Sequence, residues 1–115
     1  MIGKRIRLTD SDNEVFGEAL RPDGAVGALT MRLSLDDWGD DWYLLQLDKP
    51  VVYQGVSQER LLIRSRAVGH IIGESKPTPV FVLLIPDSTV LEKPRLVAGD
   101  FYHVSWCMAH TDALA

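Results

Sequence analysis

The sequence predicts an all-β domain, either a small antiparallel barrel or a compact β-sandwich, with about six to seven strands and at most one short helix. Three observations predict it. Pro79-Val80-Phe81-Val82-Leu83-Leu84-Ile85-Pro86 places six apolar residues between two prolines, with no charge and no glycine. Period-two alternation of apolar and polar residues recurs in several other short stretches. Turn-forming clusters separate these stretches at intervals of roughly 8–15 residues, with no pattern for a long helix.

The Pro79–Pro86 run is far shorter than the about 20 residues a membrane-crossing helix needs. Its β-branched and aromatic first half favours a strand. Proline cannot donate to a ladder, so the two prolines mark the ends. A strand apolar on both faces is expected to be covered on both sides, so it serves as an inner strand.

From the N-terminus, Ile6 and Leu8 alternate with Arg5, Arg7 and Thr9 and read as the first strand. Asp10-Ser11-Asp12-Asn13 is a run of turn formers, and Glu14 to Leu20 is read as a second strand completing a hairpin, with Gly17 as a bulge. Arg21-Pro22-Asp23-Gly24 is a turn signature, with Pro second and Gly fourth. Val26 to Leu35 is read as extended, although Ala28, Leu29, Met31 and Leu33 also fit a helical spacing. Asp36 to Tyr43 is read as a loop or wide turn. The sequence then alternates through Tyr43, Leu45 and Leu47 until Lys49-Pro50, with Val51 to Tyr53 as an extension. Gly55 to Glu59 reads as a loop and Leu61 to Arg66 as a strand. Ala67 to Gly73 either continues that strand or forms one helical turn. Beyond the anchor run, Val90 to Gly99 is loop-like, because Pro94 excludes a regular helix. Phe101 to His110 is the last strand, placing Tyr102, Val104, Trp106 and Met108 on one face and His103, Ser105 and Cys107 on the other.

The chain has 115 residues, which suits one domain over residues 1–110 and a frayed tail at 111–115. Twelve Lys and Arg stand against 16 Asp and Glu, a net charge of −4, which weighs against a general affinity for nucleic acid. Cys107 is the single cysteine, so no internal disulfide forms and an oxidising compartment is not required. Met1-Ile2-Gly3-Lys4-Arg5 is not followed by the apolar core of a signal peptide. A soluble cytoplasmic protein of bacterial style is the expectation.

The opening Ile2-Gly3-Lys4-Arg5-Ile6-Arg7-Leu8, with Val15-Phe16-Gly17-Glu18-Ala19-Leu20, resembles the first hairpin of SH3-like and Sm-like barrels. The resemblance covers under a fifth of the chain and implies an SH3-like or OB-like closure. Asp12-Asn13-Glu14 and Gly17-x-x-Leu20 depart from the Sm-like turn and strand ending, so RNA binding is not carried over.

Asp36-Asp37-Trp38-Gly39-Asp40-Asp41-Trp42 is the most distinctive local feature. Asp pairs four apart repel on a helix and Gly39 disfavours one, so the segment reads as a loop. Carboxylates there suit a cationic partner or a divalent cation, and indoles supply contact area. The competing reading is a solvated loop whose tryptophans fold back onto the core. Asp10-x-Asp12-x-Glu14 lacks the later glycine and glutamate of a calcium loop and reads as a turn. His103 and Cys107 on one strand lie roughly 13 Å apart by strand rise, too far for proton transfer. Arg5 and Arg7 would form a basic stripe with Arg64 and Arg66 if those strands paired.

The resulting functional expectation is a non-catalytic binding or regulatory domain. It recognises another protein, a basic one, through Asp36, Asp37, Trp38, Asp40, Asp41 and Trp42. The alternative is a small-ligand barrel or weak enzyme whose pocket is lined by Arg64, Arg66, Tyr102 and His103. A nucleic-acid-binding barrel is the second alternative. No cofactor, metal or membrane partner is implied, and a homodimer through an exposed edge strand is compatible with all three.

Overall fold

The computed structural model describes residues 2–21, 23–65, 77–86 and 88–111. Six antiparallel strands close into a barrel: β1 (Arg5–Thr9), β2 (Ala25–Leu35), β3 (Gly39–Tyr53), β4 (Val56–Ser65), β5 (Thr78–Leu84) and β6 (Tyr102–Thr111). Each strand pairs with the next, and β1 pairs with β6, with Leu8 opposite Ala109. The small all-β barrel expected from the sequence is thus the fold. The ring is closed among the described strands. No helix among the described residues is long and apolar enough to cross a membrane.

The lumen is filled by alternate residues of every strand. Ile6, Leu8, Leu29, Leu45, Leu61, Ile63, Val80, Val82, Cys107 and Ala109 are fully buried there. These side chains form one hydrophobic core inside the barrel. The anchor run occupies β5, between β4 and β6, with Val80 and Val82 in this core. Its other face, Phe81 and Leu83, belongs to a second core outside the barrel.

That second core lies between the outer face of β2 to β5 and the β5–β6 connection. Leu35, Trp42, Leu44, Leu62 and Leu83 are covered by Leu96 and Phe101, with Val90 and Leu91 packed alongside. The connection carries two single 3-10 turns, Ser88–Glu92 and Ala98–Asp100, rather than the plain loop the sequence suggests. We call it the strap.

Several expectations are corrected. Glu14 to Leu20 is no strand: Glu14–Ala19 is helix α1. The Asn13 side chain accepts hydrogen bonds from the amides of Val15 and Phe16, capping α1. Phe16 is buried in the first core, its ring edge-on to Tyr53 at 5.4 Å. Burying Phe16 at the barrel mouth thus decides the local structure, against the cost of Gly17 in a helix. The expected hairpin between β1 and this segment is replaced by pairing of β1 with β2 and β6.

Val56 starts β4 directly, so the loop expected at Gly55 to Glu59 shrinks to the two-residue turn Gln54-Gly55. Both residues have positive φ, 51° and 77°, which matches the twist of a tight hairpin. β3 continues through Pro50 at a register break between Gln46 and Val51, where a residue without an amide proton is tolerated. β6 extends to Thr111, one residue into the expected tail; residues 112–115 lie outside the described residues. The readings of Arg66, of Ala67 to Gly73 and of Pro22 also fall outside them. Arg64 lies on β4, whose neighbours are β3 and β5, so it forms no stripe with Arg5 and Arg7 on β1.

Candidate functional site

The acidic segment is the β2–β3 hairpin. Asp36, Asp37 and Trp38 form its turn, closed by the Trp38 amide on the Leu35 carbonyl at 3.3 Å. Gly39 follows at φ 89°, the left-handed position such a turn needs. Asp40 and Asp41 already belong to β3, so only the first half of the expected loop is loop. Leu33 pairs with Trp42 and Leu35 with Gly39, leaving an extra residue on β3 with Asp41 at φ 67°. This bulge aims Trp42 into the outer core, where it is fully buried.

Trp38 sits above it, half-buried. Its ring centre lies 5.4 Å from Trp42, 5.7 Å from Phe81 and 5.9 Å from His103. Phe81 and His103 are 6.0 Å apart. The Trp42 Nε1–H and an Arg64 guanidinium N–H both donate to the Trp38 carbonyl, each at 3.3 Å. The Arg64 guanidinium also lies 6.0 Å from the Trp42 ring centre. Arg64 thereby fixes the turn from behind.

His103 reaches this cluster because of a second bulge. Val82 pairs with Ser105 but Leu83 pairs with His103, leaving Val104 as an extra residue. Val104 packs on the barrel core, and Ser105 and Cys107 face inward. His103 is exposed beside Trp38. The expectation that His103, Ser105 and Cys107 share a face is therefore corrected: the extra residue rotates His103 to the outer side. Tyr102, beside it, is 64% exposed. Thus Trp38 from the first expected site meets Arg64 and His103 from the alternative one.

The four carboxylates are exposed but mostly engaged. Asp36 pairs with Arg95 at 2.8 Å, and the Asp37 carboxylate accepts from the Ala98 amide at 2.8 Å. Asp41 pairs with Arg32. Asp40 makes no ion pair or side-chain hydrogen bond among the described residues. The hairpin is thereby tied to the strap, a further link being the Asp36 amide on the Leu96 carbonyl at 2.8 Å. Sequence reasoning missed Arg32, Arg95 and Ala98 as the partners, because they lie on other elements with no shared pattern.

Among the described residues no group of three or more His, Cys, Asp or Glu is placed to hold a metal ion. Cys107 is buried, with Ser105 Oγ 3.4 Å from its sulfur. Burial pushes its thiol pKa up, and the hydrogen bonds from Ser105 and Ser11 oppose this only in part. A protonated, enclosed thiol is a poor nucleophile. Comparison with known protein families, with curated proteins and with solved structures gives no match.

Proposed function

We propose that this chain is a non-catalytic binding domain that takes a basic segment of another protein at the β2–β3 hairpin. The observation that carries the reading is the half-exposed Trp38 indole, stacked with Phe81 and His103 beside Asp36, Asp37, Asp40 and Asp41. An aromatic face rimmed by carboxylates suits Lys and Arg side chains, through cation–π contact and ion pairing. Trp42 does not touch the partner in this reading; it and Arg64 hold the turn in shape. Asp40, with no ion pair or side-chain hydrogen bond among the described residues, is the carboxylate most available, and exposed Tyr102 extends the surface.

The test is fluorescence anisotropy with a labelled Lys/Arg-rich peptide and a Glu-rich control. Binding of the basic peptide alone is expected. Trp38→Ala and Asp40→Asn should each weaken it, while circular dichroism stays unchanged. Equal affinity for both peptides, or for Trp38→Ala and the parent, refutes the assignment.

A further inference from the structure

A second site stands away from the β2–β3 hairpin, in a cleft between α1 and residues 9–11 at the end of β1. The cleft there measures about 1120 Å³ and is lined by residues of β1, α1 and β6. In its wall, Thr9 Oγ1 lies 2.8 Å from His110 Nε2 and 2.9 Å from Asp10 Oδ2. An ionised carboxylate only accepts, so the single Thr9 hydroxyl proton goes to Asp10. The Thr9 oxygen then accepts from His110 Nε2–H. Asp10 holds this arrangement at φ 56°, a conformation that non-glycine residues seldom adopt.

The charges lining the cleft are of both signs and are not spent on each other. Glu14, Glu18 and Arg21 make no side-chain ion pair or hydrogen bond among the described residues. Glu14 and Glu18 stand one helical turn apart, a like-charge spacing that disfavours so short a helix. Arg7, also in the lining, is engaged with the Asp23 carbonyl. The free groups among the described residues are therefore two carboxylates and one guanidinium, around a wall of mixed polar and apolar character. A ligand complementary to them carries ammonium groups and one acid group.

We propose that the α1–β1 cleft binds a small amine bearing one carboxylate, of the basic amino acid class. Its carboxylate meets Arg21, and its ammonium groups meet Glu14 and Glu18. The site is separate from the β2–β3 hairpin and does not depend on the function proposed there.

The test is calorimetry and two-dimensional NMR on the full chain with three probes: lysine, cadaverine, which lacks the acid, and glutarate, which lacks the amines. Lysine should bind saturably with a Kd at or below about 10 mM, and the two others on the order of tenfold more weakly or not at all. Arg21→Ala should bring lysine down to the cadaverine level, and the double variant Glu14→Gln/Glu18→Gln to the glutarate level. Glu14 and Glu18 lie exposed on α1 and Arg21 lies exposed just beyond its C-cap, and circular dichroism checks the fold. Trp38→Ala should leave lysine binding unchanged. No saturable lysine binding, equal binding of the three probes, or variants that bind lysine like the parent would each overturn the proposal.

Discussion

The Asp37 carboxylate accepts a hydrogen bond at 2.8 Å from the amide of Ala98, which lies 61 residues further along the chain. It fastens the strap to the hairpin over the outer core. Asp37→Ala should lower stability by about 1 kcal/mol, since the bond is charge-assisted but exposed. The loss should be local: hydrogen exchange at the Ala98 amide should accelerate more than at Ile63 in the barrel. Uniform acceleration at both would mean that strap and barrel open as one unit.

Asn13 serves three elements at once. It caps α1 and donates to the Val104 carbonyl at 3.1 Å and the Tyr53 hydroxyl at 3.3 Å. Asn13→Ala should therefore cost about 1–2 kcal/mol in urea unfolding, at the upper end for an N-cap. Asn13→Asp keeps the cap but loses the two donated bonds. A loss for Asn13→Asp as large as for Asn13→Ala would show that the donated bonds, not the cap, matter.

Gly27 on β2 packs directly on the β3 backbone. A Cβ there would collide with the Gln46 carbonyl oxygen and stand 2.9 Å from the Leu47 Cα. Gly27→Ala should destabilise by roughly 2–4 kcal/mol, since backbone rather than a movable side chain is in the way. At Gly99, where a Cβ meets nothing within 4 Å, alanine should be nearly neutral.

Two carboxyls set an acid limb. Hydrogen bonding to Arg5 lowers the pKa of Asp48, and hydrogen bonding to Lys93 lowers that of Asp100, both from an ordinary value of 3.8. Their folded forms hold protons less tightly than the unfolded chain. Their contribution is thus complete above the ordinary carboxylate range and vanishes as pH falls through the lowered folded values. Asp48 is exposed and Asp100 partly exposed, both paired at the surface, so the effect is small and weakened by salt. Asp48→Asn should flatten the fall of melting temperature between about pH 5 and about pH 2, measured against the parent. An unchanged slope would remove Asp48 from the account.

Cys107 gives the opposite limb. Its thiol ionises less readily folded than unfolded, so stability should fall as pH rises above the ordinary thiol value of 9.0. At pH 8, labelling with an aromatic disulfide should be negligible in the native protein and should follow the urea unfolding curve. Rapid native labelling would show that β6 opens locally.

The barrel was legible where one face is buried. Ile6 and Leu8 against Arg5 and Arg7 carry the period of two that places β1, and the unbroken apolar run between Pro79 and Pro86 places β5, which is buried on both faces. What escaped were features that break the period. α1 is too short to show a helical repeat, and its one readable sign was Asn13 before Glu14 as a cap. Gln54 in a left-handed turn is uncommon, so the tight β3–β4 hairpin read as a longer loop. The extra residue at Val104 moves His103 to the other side of the strand, which alternation alone cannot register. The Trp38 cluster and the Thr9–His110 pair join residues far apart in the chain, and distance in sequence hides such contacts. The tryptophans show both fates considered for them: Trp42 closes the core, and Trp38 remains partly in solvent.

Closure of the ring by β1 and β6 has a consequence for synthesis. Ile6, in the first strand of the ring to be synthesised, pairs with Thr111 in the last. Until β6 emerges, β1 lacks one of its two neighbours and β5 exposes an apolar flank. The barrel thus cannot lock strand by strand as it is translated, and such distant pairing folds slowly. Apolar barrel surface therefore stays open until one late event, the docking of Tyr102–Thr111 between its two waiting neighbours.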